Sequence, residues 1–426
     1  MTEELLPSCA VRLREERIKR LWSQKVMAVR LRAAADEQIR AALPAVDSLQ
    51  RYVRDYEAGR HVPGDLYAEL YCRAFGLTHS VLFGVPNGRS ANSVRLDFVP
   101  TEHDAWSLTD WIAITNVSDD AIGQIAETAF TLRETHTRRQ PLLLLTDVVR
   151  THQQVEGLLR SGKQRLRQTR DLYRIDADLL AHAALLLGDL SFGPRASAYG
   201  AAAVVYAKES EASPAVALSV QAKSARWQRR YAEAAGIARQ GFDCSPASPV
   251  RILLASQEAN SAAFLGDLRR AREALGRAEI AAGGTMKEDS GVAAWSCPPS
   301  RQAMFALSVA IRLGDADSAL RSAATADLAW ESGDAMVTGV WAQVRLAAAI
   351  ARVMKGDLDG AEHELFSVLD IAPEYRISTI TGYASDLGKR LRQRRFERTP
   401  VAARMSERIR EFNSARPLAR ACLGDG

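Results

Sequence analysis

The side chains best suited to chemistry lie in one short stretch, Asp47–Glu57, which reads DSLQRYVRDYE. Leu49, Val53 and Tyr56 recur at i, i+4 and i+7, the spacing of one buried helical stripe. Gln50, Arg51, Arg54 and Asp55 therefore face away from that stripe. Such a face suits the edge of a nucleic-acid duplex. A guanidinium meets guanine O6 and N7 bidentately, and a carboxamide meets adenine N6 and N7. Arg60 and His61, just past the helix, add donors for phosphate oxygens. The plainer alternative is a solvated surface helix. Residues 1–80 carry 13 Lys/Arg against 11 Asp/Glu, so charge alone does not choose between the two.

Other chemistries find little support. Gly157–Gln164 (GLLRSGKQ) imitates a phosphate-binding loop, but Gln164 lacks the hydroxyl that would hold Mg²⁺ and the preceding residues read helical. Cys9, Cys72, Cys244, Cys297 and Cys422 are scattered and form no CxxC pair, which favours a reduced compartment over a disulfide framework. No paired carboxylates, metal-ligand spacing or nucleophile motif stands out. The expectation is a protein that is not an enzyme and uses no cofactor or metal.

The elements that must position these side chains are all helical. With 426 residues the chain exceeds what one hydrophobic core usually supports, and 47% hydrophobic with 25% charged residues is ordinary globular composition. Only 8 of the 56 basic residues are lysine, the mark of a GC-rich genome rather than of a chemical role. The opening residues lack a signal-peptide pattern, and stretches such as Leu142–Leu145 are too short to span a bilayer. A cytoplasmic protein without membrane contact is expected. Val11, Ile18 and Leu21 suggest a first helix, and Ser23 an N-cap before Val26, Met27 and Leu31 on a second. The stretch 47–57 makes a third. Further helices carry Leu66, Leu70 and Tyr71, then Phe75, Val81, Leu82 and Phe83. Residues 84–100, rich in Gly, Pro, Asn and Ser, read as a linker.

From about Trp106 onward an internal repeat appears. Gly-Asp-x-x-x-Ala occurs at Gly266–Ala271, Gly314–Ala319 and Gly356–Ala361, with a degenerate copy ending at Ala234. The alanines are 37, 48 and 42 residues apart. Each copy predicts a helical hairpin: Gly ends one helix in a left-handed conformation, Asp caps the next, and Ala lets the two approach. Small residues follow seven places later at Gly241, Ala278 and Ala326, with Val368 the larger exception. This resembles the tetratricopeptide pattern.

The N-terminal part resembles the helix-turn-helix domain of the lambda-repressor/Cro-like (XRE) family. Leu13-Arg14-x-x-Arg17, Trp22-Ser23-Gln24, Tyr56-Glu57-Ala58-Gly59, Pro63 and Val81-Leu82-Phe83-Gly84 carry the likeness. With the repeats behind it, the chain resembles XRE-type regulators that have a C-terminal tetratricopeptide domain. The resemblance implies an all-α fold, with an N-terminal helix-turn-helix domain followed by an α-helical tetratricopeptide-like solenoid. The corresponding divisions are 1–86 for DNA binding, 87–100 linker, 101–175 connector, 176–388 repeats and 389–426 basic C-terminal helix and tail. It places Gln24 against a phosphate or base edge and Ser48, Gln50, Arg51 and Arg54 on the recognition face, with double-stranded operator DNA as partner and a homodimer as the binding form. By similarity to repeat-containing quorum-type regulators, the repeat domain would take a peptide, small-molecule or protein effector. One departure stands out. Residues 33–46 are longer than the family's tight turn, so either helix 2 extends or an additional helix intervenes.

Two basic clusters, 160–174 and 389–398, read as solvated helix faces or as auxiliary contacts with DNA backbone. The break at 283–300 is long for an inter-repeat loop; Trp295 and Pro298-Pro299 could close over a ligand groove, or the segment is a simple connection. Trp227, Tyr231, Trp330 and Trp341 read as core aromatics first and ligand-binding rings second. A protein–protein scaffold without DNA recognition is the rival reading of the whole chain.

Overall fold

The computed structural model describes residues 8–83, 109, 112–284 and 289–414, and every helix and turn below lies among them. The chain divides into two compact units, Met1–Pro100 and Thr101–Gly426. The expected linker at 87–100, Trp106, Cys422 and the tail from 415 lie outside the described residues.

In the first unit, α1 (Ser8–Lys19), α2 (Gln24–Ala33), α3 (Glu37–Ala42), α4 (Val46–Glu57), α5 (Asp65–Phe75) and α6 (His79–Phe83) follow in order. Ser23 caps α2 as expected, its hydroxyl accepting from the Val26 N–H at 3.1 Å. The long connection resolves into α3, an additional helix capped by Asp36. The stretch expected as the third helix is therefore the fourth. Val11, Ile18 and Leu21, the apolar residues that suggest the first helix, are exposed. The inward face of α1 is Ala10, Leu13 and Arg17, because Arg17 has a buried partner described below. On α4, Leu49 and Val53 are buried but Glu57, not Tyr56, completes the stripe. Tyr56 is half-buried among Tyr52, Tyr67 and Tyr71.

In the second unit, α7 (Asp119–Glu134) and α8 (Pro141–Ser161) precede six helical hairpins. These pair α9 (Leu166–Asp189) with α10 (Gly193–Glu209), α11 (Ala215–Trp227) with α12 (Tyr231–Cys244), and α13 (Pro249–Phe264) with α14 (Leu268–Gly283). The remaining three pair α15 (Pro299–Arg312) with α16 (Ala316–Glu331), α17 (Thr338–Lys355) with α18 (Leu358–Leu369), and α19 (Ser378–Leu391) with α20 (Pro400–Ser414). Helix α9 runs across the boundary expected at 175/176, and α19 across the one expected at 388/389.

The turns are built as their sequence dictates. Gly266, Gly314 and Gly356 have φ of 75°, 79° and 83°. Asp267, Asp315 and Asp357 each accept a backbone N–H three residues ahead. The paired alanines Ala234, Ala271, Ala319 and Ala361 are fully buried. At Gly241 a Cβ would stand 2.7 Å from Leu254 Cδ2, so that crossing admits no side chain. Asp267→Ala is expected to lower stability by about 1 kcal/mol, because the Arg270 N–H loses its cap, whereas Asp267→Asn retains most of it. Urea denaturation of the three proteins checks this.

The first helices of the hairpins, α9, α11, α13, α15, α17 and α19, each pack on the next, and α19 also meets α9. Ser378 Oγ donates to the Gly188 carbonyl at 2.9 Å where the row closes. Closure into a ring is not something the repeat spacing announced. Buried polar side chains tie the inner helices together: Asn260 donates to Ser308 Oγ at 2.9 Å, and Tyr383 donates to the same oxygen at 2.7 Å.

Candidate functional site

Helix α4 presents Arg51, Tyr52 and Arg54 to solvent, with Ser48 and Gln50 half-buried beside them. Leu49 and Val53 fix this orientation by packing inward. Asp55 pulls two neighbouring cations together, at 3.2 Å from Arg60 and 3.8 Å from Arg54. Among the described residues Arg51 has no ionic partner. The result is a short ridge whose outermost groups are guanidinium forks, able to donate to bases or phosphates.

What anchors the ridge is a buried ion pair. Glu57, at the last turn of α4, accepts from Arg17 Nε at 2.6 Å and Nη2 at 2.8 Å. The side chains are 12% and 3% exposed, and the carboxylate raises the arginine's pKa above its ordinary value. Gln24 also turns to this carboxylate, its Nε2 donating at 3.1 Å. It is half-buried, and its amide links the start of α2 to the end of α4. Arg17 additionally donates to the Trp22 carbonyl at 2.6 Å. In the sequence Arg17 and Glu57 stand only as motif letters; their position at two helix ends facing one core is the signal that joins them.

The imitation phosphate loop is helical over most of its length, with Gly162, Lys163 and Gln164 in the short connection that follows. Residues 157–161 complete α8, and Gly162 ends it with φ of 67°. The first basic cluster is largely neutralised within the unit: Arg160 pairs with Glu156, Arg167 with Asp119, Arg170 with Glu211 and Arg174 with Asp171. In the second, Arg390 lies 3.9 Å from Asp386 and Arg395 donates to the Val353 carbonyl. The first arrangement fits a structural helix face, whereas in the second Lys389, Arg392, Arg394 and Arg398 are exposed without an ionic partner among the described residues.

The proposed effector residues separate. Trp295 lines a pocket of about 200 Å³ with Arg133, Asp178 and His182. It is buried, its ring 6.2 Å from that of His182, because residues 292–298 run through the interior of the unit. There Thr137 Oγ1 donates to the Val292 carbonyl and the Ala294 N–H to the Arg133 carbonyl. His136 and His182 face each other at 3.0 Å, and burial holds both pKa values down, that of His182 at about 3. Trp341 is half-buried against the ring's core. Trp227 and Tyr231 line one cavity of about 400 Å³, where Tyr231 stacks on Phe264 at 4.5 Å.

A further cavity, of about 130 Å³, lies inside the ring and takes residues from all six inner helices. It holds Lys223, whose ammonium is 3.2 Å from Asp189 and whose pKa burial pulls down to about 8. Arg226 lies beside it, its pKa lowered chiefly by burial. None of these three charged residues emerged from the sequence.

Among the described residues no cluster of His, Cys, Asp and Glu is arranged to hold a metal, and no helix is long and apolar enough to cross a membrane. No protein-family model matches the chain, and no curated protein matches it.

Proposed function

We propose that the protein is a bacterial cytoplasmic DNA-binding transcriptional regulator of the XRE type, with tetratricopeptide-like repeats behind its reading head. The observation that carries this reading is α4: an exposed Arg51/Arg54 edge on a helix locked from below by Leu49, Val53 and the Arg17–Glu57 pair. Gln50 and Ser48 flank that edge, and Arg60, exposed just past the helix, would donate to a phosphate. As a homodimer, two such helices would enter successive major grooves about 34 Å apart. The hairpin unit would sense an effector and transmit it to the spacing of the two heads.

Arg51→Ala and Arg54→Ala are each expected to cost about 1–3 kcal/mol of specific DNA affinity while leaving helicity unchanged. The test begins with selection of bound fragments from a genomic DNA pool, followed by gel-shift titration across salt. Unchanged affinity in both variants removes these residues from the interface. Absence of any salt-sensitive duplex binding favours the protein–protein scaffold instead.

A further inference from the structure

Two cavities of the second unit, those of about 130 and 400 Å³, share a wall formed by Arg226, Thr379 and Tyr383. Charge around them is unbalanced. Asp189 is the one carboxylate lining either cavity among the described residues, and it is engaged by Lys223. Arg139 and Arg312 reach outward to Asp147 and Asp386, at 2.5 and 3.1 Å. Arg301 gives Nη1 to the Ser296 carbonyl. Arg226 has no ionic partner among the described residues, and its Nε is shielded from solvent without a hydrogen-bond acceptor. Thr379 Oγ1 on the same wall is likewise shielded and unbonded.

Arg226 is half-buried, and a guanidinium does not shed its proton where water is scarce, so an arginine on a cavity wall without a carboxylate partner calls for an anion. We infer that the ring interior binds a small organic carboxylate, its acidic group seated against Arg226. This deepens the effector part of the proposed function and rests on it. Three features select the class. Volumes of about 130 and 400 Å³ exclude a folded partner. Arg229, the other arginine of these walls with neither an ionic partner nor a side-chain hydrogen bond among the described residues, is exposed, so Arg226 is the inner fork, and it matches one planar carboxylate, which accepts two parallel N–H bonds. Leu185, Met304 and Phe305 on the inner wall suit an apolar body attached to it.

Isothermal titration of the full chain, without DNA, with benzoate and its neutral analogue benzamide tests the site. Benzoate is expected to bind in the millimolar range or tighter, and benzamide at least tenfold more weakly. Arg226→Met is expected to weaken benzoate at least tenfold and to raise the melting temperature of the ligand-free protein, because it removes a half-buried charge without a partner. Arg226→Lys should fall between. No benzoate binding at about 10 mM, equal binding of the two probes, or unchanged binding by Arg226→Met overturns the inference. So does a lowered ligand-free melting temperature in Arg226→Met, which would make Arg226 a structural support. Because DNA is absent from the assay, any of these results leaves the α4 reading standing, and a failed gel shift leaves this one standing.

Discussion

Glu57→Ala is expected to unfold most of the N-terminal unit, at a cost of about 3–5 kcal/mol. The size follows from what stays behind. Arg17 remains charged and is 12% exposed, with both bonds to the carboxylate gone and only the Trp22 carbonyl as acceptor. Gln24 loses its acceptor at the same moment. A unit of this size has little stability to spare, so a loss of several kcal/mol is most of it. Hydrogen exchange over peptides from residues 8–83 measures the result: protection should fall sharply in Glu57→Ala and much less in Glu57→Gln, which still accepts one bond. The double variant Arg17→Met/Glu57→Leu should regain stability, since an apolar pair carries no desolvation penalty. If Glu57→Ala retains full protection, the pair is not what anchors α4. The proposed DNA binding should be lost with the fold in the single variant, so that proposal is judged from Arg51 and Arg54.

The features legible in the sequence share one property: a local rule places them. The Gly-Asp turns depend on one left-handed residue and one cap, and both were written within five letters. Leu49 and Val53 obey a helical period that has no competitor in their stretch. Where a charged side chain enters a core, local reasoning fails. Val11, Ile18 and Leu21 suggest α1 because they are apolar, yet Arg17 takes its inner face to reach a carboxylate 40 residues away. The burial of Trp295 was out of local reach for a similar reason, since it depends on a turn at 133–137 that is distant in sequence. Ring closure is the extreme case: Gly188 and Ser378 are 190 residues apart, and neither carries a motif. Arg226 belongs with them, its importance arising only when six helices meet around it.

Gly188→Ala tests most sharply the packing of α9 on α11 beside that closure, because two principles predict opposite signs. In the interior of an exposed helix, alanine for glycine stabilises by about 0.5–1 kcal/mol. Gly157, in α8, is such a site: a Cβ there meets nothing within 4 Å, and Gly157→Ala should gain stability. At Gly188 a Cβ would stand 1.7 Å from Trp227 Cζ3 and 2.3 Å from Cη2, so the indole must leave. It has little freedom to do so. Lys223 Nζ sits 4.7 Å over its ring, the ring packs against the core, and its far side walls the 400 Å³ cavity. The Gly188 carbonyl is also the acceptor for Ser378, so a shift of α9 would open the ring. The expected loss is on the order of 3 kcal/mol, at the upper end for an overpacked core. Trp227→Leu, introduced with Gly188→Ala, should recover part of it by vacating the space. Chemical denaturation of Gly157→Ala, Gly188→Ala and the double variant reads the three signs directly. A stabilised Gly188→Ala protein would mean that α9 and α11 do not meet at this glycine, and the ring would have to be redrawn from that point.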